Sequence, residues 1–512
     1  MSAPEDPRYL LERFLEPHYK NGLTLWLDQG QLRFKGPKEI LNKSLIDALK
    51  KHKPDIIAML QDDIDLETIA SKTAMLGARA LLGEKDIDVE YPLSMSQSAI
   101  WMLYQFAPNS PVYNTTFCAK LNDNTDIDLL EKAYQNTVNR HDMLRSRFLD
   151  SDDGSVQQVM HSSQVSIGLV DGFSWEQEAI DDWLKNEAVR PFDLSRAQPL
   201  RINCLKTSNG NYLIATIHHI AADLWSLLII AEDLFSDYQH YLAHGYFNVN
   251  KVEHTYQDHV MQQKEYLQSK GIDDVKLFWQ NYLVNATFQL DMPTDFVRPA
   301  IMMMTTARRS TFIDNKIAGS IREFCKKAAI TPCVLFESAF QLLLFRYVQR
   351  SDFLIGTPTF GRSKQTLEKI VGDFANPVVL RANIKRENSI FAWLKSNQKD
   401  LFRVMALQDY PFPSLVELIN PPRDVSRTPL FQHMFVWHQG NKDTFLQQNV
   451  IEEILPISGP CGSPYDILLS VSDIGDSFEC HWTYQTSLYD DVSIKQHSQE
   501  YEQLIDEMLA RL

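Results

Sequence analysis

The chain has 512 residues, 44% of them hydrophobic and 23% charged, with a formal net charge of −16. That length exceeds one ordinary core and predicts two or three domains, and the acidic balance argues against a nucleic-acid partner. Six scattered cysteines show no CxxC pair and no metal-ligand spacing, no secretory signal opens the chain, and no uncharged apolar run reaches membrane-spanning length, so the expectation is a cytoplasmic protein with buried thiols, no bound metal and no membrane.

Residues 1–61 form a self-contained pattern. Leu10, Leu11, Phe14 and Leu15 make one helical face, and Asn21-Gly22 ends it. Leu23-Thr-Leu25-Trp-Leu27 alternates strictly, Asp28-Gln-Gly30 turns, and Leu32 and Phe34 continue the alternation, which predicts a hairpin. Two short helices follow, from Ser44 to Lys51 and, after Pro54, from Asp55 to Leu60. The first sixty residues hold ten basic and eight acidic side chains, so the acidity lies in the remainder. The unit is read either as a structural cap or as an adaptor for another protein's acidic tail. Residues 62–90 are expected to be a linker with one helix, Ile69 to Leu82.

A larger unit is expected from Tyr91 to the end, with a Ser-capped helix at Gln97 to Trp101 and a strand after Arg140-His141. Asn211-Tyr-Leu-Ile-Ala-Thr-Ile-His218-His219-Ile-Ala-Ala-Asp223-Leu-Trp225-Ser226 then reads as strand, turn and helix. Strand alternation sends the two histidines to opposite sides, so we take His219 to face a cleft and His218 to pack inward. Asp223 is equally well placed as the cap of the following helix, so the bare HHxxxD pattern does not by itself decide between structure and catalysis. A charged helical stretch from Gln257 to Leu283 divides the unit, residues 285–300 are irregular, and a strand resumes at Thr305 to Phe312. No Gly-rich phosphate loop appears, and the Met302–Met304 run is read as packing. The expected boundaries are 91–265 and 266–512, two similar α/β (α+β) lobes.

Two groups of segments carry a resemblance. Leu23 to Leu27 with Gln31 to Lys38, then Ala48 to Leu60, resembles the TubC-type docking domains that open subunits of non-ribosomal peptide synthetases, often in polyketide–peptide hybrids. That resemblance implies an exposed hairpin edge accepting the C-terminal segment of the upstream subunit by strand addition, with Arg33, Lys35 and Lys38 facing acidic residues of that tail. The second group runs in order: the Gln97 and Arg140 segments, His218 to Ser226, Gly356-Thr-Pro-Thr-Phe-Gly361-Arg362, Val371-Gly-Asp-Phe374-Ala-Asn376-Pro, Gln408-Asp-Tyr-Pro-Phe412 and Arg423 to Gln432. Over about 420 residues they resemble the condensation domain of the same synthetases. This implies two chloramphenicol-acetyltransferase-like lobes in a V-shaped pseudo-dimer with a tunnel open on both sides. Donor and acceptor carrier proteins would bring substrates on phosphopantetheine arms, and the chain itself would bind no cofactor.

In that frame His219, His218 and Asp223 are the expected catalytic residues. The resemblance implies a salt bridge from Asp223 across the lobe junction, for which Arg362 is the candidate, with Trp225, Ser226 and Asn376 in supporting roles and His141 and His433 structural. Leu224 replaces the family's usual glycine, a form similar to subsets acting at polyketide–peptide junctions, while aspartates in place of the histidines, the mark of cyclising relatives, are absent. The chemistry would be attack of an aminoacyl amine on an acyl or peptidyl thioester, with His219 expected to take the nitrogen's proton as the C–N bond forms. A CoA-dependent acyltransferase of the same fold and an inactive, partner-recruiting domain are the alternatives. Because no adenylation or carrier domain follows, the chain is expected to be a portion of a longer synthetase.

Overall fold

The structure, a computed structural model, describes residues 24–28, 31–35, 87–151, 154–248, 252–384, 389–439, 450–455 and 462–511. The chain divides into two compact units, Met1–Ile87 and Asp88–Leu512. In the first, β1 (Thr24–Asp28) and β2 (Gln31–Lys35) form an antiparallel hairpin with Trp26 opposite Arg33 and Thr24 opposite Lys35. Lys35 is exposed. The helices expected around this hairpin, the linker helix and Lys38 lie outside the described residues.

The second unit begins with β3 (Ile87–Pro92), which starts before the Tyr91 expected from the sequence. Helix α1 (Met95–Phe106) starts in a capping box in which Ser94 and Gln97 satisfy each other's backbone amides. The first-lobe sheet uses β4 (Asn114–Leu121), β7 (Ile167–Asp171), β8 (Leu200–Thr207) and β9 (Gly210–His218), with β5 (Ser146–Ser151) and β6 (Gly154–Met160) joining β3 in a small separate sheet. Side chains of β9 alternate between two covered faces, which explains the apolar run from Tyr212 to Ala215. Leu213 and Ile217 pack toward α2 (Ile127–Arg140) and α4 (Leu224–His244), whereas Tyr212 and Ile214 pack toward α3 (Gln177–Val189). The last turn of α4 ends at Gly245 in the left-handed conformation, φ 77°.

The stretch expected as one dividing helix is two, α5 (Tyr256–Leu267) and α6 (Ile272–Tyr282), broken around Gly271. Next come β10 (Thr306–Ile313), α7 (Asn315–Ala328), α8 (Pro332–Val348), β11 (Asp352–Thr359), β12 (Asn376–Asn383), α9 (Ile390–Met405), α10 (Phe412–Ile419), β13 (His433–Gln439), β14 (Ile451–Ile454), β15 (Ile467–Asp473), β16 (Phe478–Gln485) and α11 (Asp491–Leu509). The second-lobe sheet runs β10-β16-β15-β13-β11-β12 and its core is built on α8, which packs against α9 and α11.

The halves 91–265 and 266–512 do not separate cleanly. Between β11 and β12 the chain leaves the second lobe, and Leu367, Ile370, Val371 and Phe374 bury themselves in the core of the first. Each such anchor contributes on the order of 1.5–3 kcal/mol. Further on, β14 pairs antiparallel with β4 at the edge of the first-lobe sheet. Local periodicity announces a strand but not which sheet it joins, so this lacing escapes a reading of the sequence.

Candidate active site

The end of β9 sets the site. His218 is the last strand residue and lies inward, 3% exposed, its ring among Tyr104, Tyr113 and Phe192. Its Nδ1 accepts the Ile220 amide at 3.2 Å, and burial together with the neighbouring His219 and Arg201 cations pulls its pKa down to about 3, so it is neutral. The chain then turns, with the His219 amide donating to the Tyr113 carbonyl at 2.7 Å and the Ala221 amide to the His218 carbonyl at 2.9 Å. Gln97, reaching from α1, donates its side-chain amide to the Ile220 carbonyl at 3.0 Å and clamps the turn.

His219 keeps 34% of its side chain exposed, so the ring is open to solvent. Its Nδ1 is nonetheless sealed, and the exposed edge is therefore the one carrying Nε2. Asp373, 2% exposed, places Oδ1 3.3 Å from that Nδ1. Burial would lower the pKa of the imidazole, but the Asp373 carboxylate, helped by Asp223, outweighs it and pushes it up to about 9. A pKa raised in this direction favours the imidazolium at neutral pH. Asp373 went unassigned in the sequence. The signal was there: a lone carboxylate among Ile370, Val371, Phe374 and Ala375 is bound for a buried setting and needs a cation.

Asp223 lies four residues past His219 and is buried. It caps α4 by accepting the Ser226 amide at 2.8 Å, and it also meets Arg362, with contacts of 2.5 and 3.2 Å to the two carboxylate oxygens. The helix cap and the ion pair with Arg362 are thus both made by one side chain. The pair is almost fully buried, at 4% and 3% exposure. Arg362 donates further to the Ser226 hydroxyl and the Ile370 carbonyl and stacks on the Phe374 ring at 4.1 Å. Ser226 donates to the Gly372 carbonyl and accepts the Gly372 amide. Trp225 donates its indole N–H to the Glu368 carbonyl and meets Phe360 edge-on. Asn376 donates to the Gln408 and Tyr410 carbonyls and accepts the Phe412 amide, which fixes the segment before α10.

The loop bearing Arg362 and Asp373 is shaped by two glycines. Gly361 has φ 60° and a Cβ there would lie 1.8 Å from the Phe374 carbonyl oxygen, while a Cβ on Gly372 would lie 2.0 Å from the Tyr256 ring. A cavity of about 160 Å³ runs along this loop, lined by Ser96, His259, Lys364, Asp373, Asn376 and Asp409 among others. His141 is paired with Asp233 at 2.6 Å and His433 is wholly buried; neither borders the site. Among the described residues no three His, Cys, Asp or Glu side chains gather as metal ligands, and no single helix is long and apolar enough to cross a membrane.

Residues 87–512 match the family model described as Condensation domain. The chain belongs to the condensation-domain family. Residues 11–62 match the TubC N-terminal docking domain, so the two modules stand in the order expected from the sequence. A linear gramicidin synthase of Brevibacillus parabrevis is 29% identical over 413 residues, which is 79% of this chain and 8% of that protein. The chain thus spans under a tenth of that synthase. Among solved structures, a four-domain nonribosomal peptide synthetase bound to AMP and glycine superposes with TM-score 0.73 at 21% identity, over 83% of this chain and 33% of that one. The condensation domain of the monacolin K polyketide synthase MokA gives 0.69 at 20% identity, over 83% and 98%. These likenesses bear out the two-lobed chloramphenicol-acetyltransferase-like fold, and the family is one of amide-bond-forming acyltransferases.

Proposed function

We propose that this condensation domain joins a carrier-bound aminoacyl amine to an upstream acyl or peptidyl thioester, both held on phosphopantetheine arms of partner carrier proteins in the cytoplasm. The N-terminal domain receives the C-terminal segment of the upstream subunit through Arg33, Lys35 and Lys38. The observation that carries the reading is the half-open His219 ring at the end of β9, with Nδ1 sealed against a loop from the other lobe and the Nε2 edge free. An inactive, recruiting domain has no need of a charged imidazole held in that way.

The reaction makes a C–N bond and breaks a C–S bond, and the proton lost by the nitrogen is the one gained by the departing thiolate. An α-amine has a pKa near 8, so its free base is accessible near neutrality without help. Fixing the two tethered groups in attack geometry supplies on the order of 7–11 kcal/mol. The charged resting state of His219 changes the role expected from the sequence. A ring already carrying its proton cannot take another from nitrogen; it donates from Nε2 to the thioester oxygen as negative charge grows there. Loss of such a donor costs about 10²–10³ in kcat. Incubating the chain with separately loaded donor and acceptor carrier proteins and weighing the product by mass spectrometry is the test. His219→Ala should retain carrier binding and lose turnover by that factor; wild-type turnover in the variant would refute the role.

A further inference from the structure

We propose that Asp373 is the positioning residue for His219: its carboxylate, delivered from the second lobe, holds the imidazole with a proton on Nδ1 and turns Nε2 toward the cleft. The proposal deepens the acyl-transfer reading of the same site.

A count of buried charge carries it. Two carboxylates, Asp223 and Asp373, sit within one small region and are both nearly inaccessible. A buried carboxylate needs a cation or several hydrogen-bond donors. Among the described residues, the one guanidinium that reaches them, Arg362, is committed to Asp223, Ser226 and two backbone carbonyls, those of Phe360 and Ile370. Asp223 also accepts the Ser226 and Phe374 amides. Oδ1 of Asp373 has no hydrogen-bond partner, and neither does Nδ1 of His219, yet the two stand 3.3 Å apart. The imidazolium is the second cation that this pair of carboxylates requires.

The placement of Asp373 is itself over-determined. Its carbonyl accepts from the Tyr256 hydroxyl at 2.6 Å and from Ser96 at 3.4 Å, and Gly372 before it admits the Tyr256 ring. On its other side Phe374 meets Tyr256 edge-on, His259 at a tilt and Arg362 over its face. The remaining titratable groups facing the ring do not compete. His218 beside it is neutral, burial holds the Tyr113 phenol up at about 12, and His259 behind Phe374 is pulled down to about 4 by burial and the Arg362 charge. The residue that orients the imidazole therefore comes from a different lobe than the imidazole, and a mis-seated loop would leave His219 both neutral and unaligned.

The test is nitrogen-15 NMR of the full chain labelled at histidine, with His219→Gln assigning the signal, and it uses no substrate. In the wild type the ring should stay doubly protonated well above pH 7. In Asp373→Asn its midpoint should fall by about 1–3 pH units, the range for loss of an adjacent opposite charge, and Asp373→Glu should restore part of the shift. Turnover of Asp373→Asn with loaded carrier proteins should drop about 10–100-fold, less than for a wholly buried dyad whose tautomer is reversed, with KM for the acceptor carrier little changed. A wild-type ring titrating at or below its ordinary value of about 6.5 overturns the proposal whether or not the variants fold. So does an Asp373→Asn chain whose His219 titrates as the wild type. A ring that titrates as expected in a chain that forms no amide would instead sink the acyl-transfer reading and leave Asp373 in place.

Discussion

Burial and charge pull the His219 imidazole in opposite directions, and the Asp373 carboxylate prevails because Nδ1 is shut away from screening water while the rest of the ring is not. The sign has two consequences. Since the folded pKa is raised to about 9, the contact contributes stability in full below the unfolded value of about 6.5 and loses it as pH climbs through about 9. For the reaction, a donor ring and a free amine impose opposite limbs. The rate should rise as the acceptor amine deprotonates near pH 8 and fall as the ring does near 9, a narrow bell. Single-turnover rates between pH 6 and 10 read it directly. A rate that keeps climbing to a plateau above pH 9 would show the neutral ring to be the active form, acting as the base anticipated from the sequence.

The element that makes these residues a site is the segment between β11 and β12. It carries Arg362 to Asp223, Asp373 to His219 and four apolar anchors into the first-lobe core. Gly361 is its tightest point. A methyl group there would collide with the Phe374 carbonyl oxygen, in a left-handed conformation that a residue with a Cβ resists. Gly361→Ala should therefore cost about 1–3 kcal/mol in denaturant unfolding and depress turnover through both Arg362 and Asp373. Stability within about 0.5 kcal/mol of wild type, the scatter of inert surface changes, would show the loop to be more pliable than its geometry implies. What the sequence made legible here was local. The strand into His218, the Asp223 cap and the hairpin of β1 and β2 follow from short-range patterns, whereas the Arg362 partner was implied by the family resemblance alone. The meeting of Asp373 with His219 and the pairing of β14 with β4 join residues far apart in the chain, and no periodicity encodes those partners, while the break at Gly271 is a local one at a glycine.

At the scale of the whole molecule, charge is partitioned: the first sixty residues are slightly basic within a chain of net −16. Such a distribution suits an N-terminal module that meets an acidic tail while the larger unit meets carriers by other means. The backbone register puts Arg33 and Lys35 on the same strand, β2, and Lys35 is exposed, so its charge is well solvated and weak by itself. Their joint effect should lie in the rate of encounter more than in the lifetime of the complex. The triple variant Arg33→Glu, Lys35→Glu, Lys38→Glu should then bind a labelled peptide of the upstream subunit's C-terminal segment with an association rate lowered at least about tenfold at low ionic strength. Near 1 M salt, where the screening length is about 3 Å, the two proteins should converge. Stopped-flow fluorescence at both ionic strengths separates the cases. A loss that persists undiminished in high salt would assign these side chains to the contact itself, and no loss at either would remove them from docking.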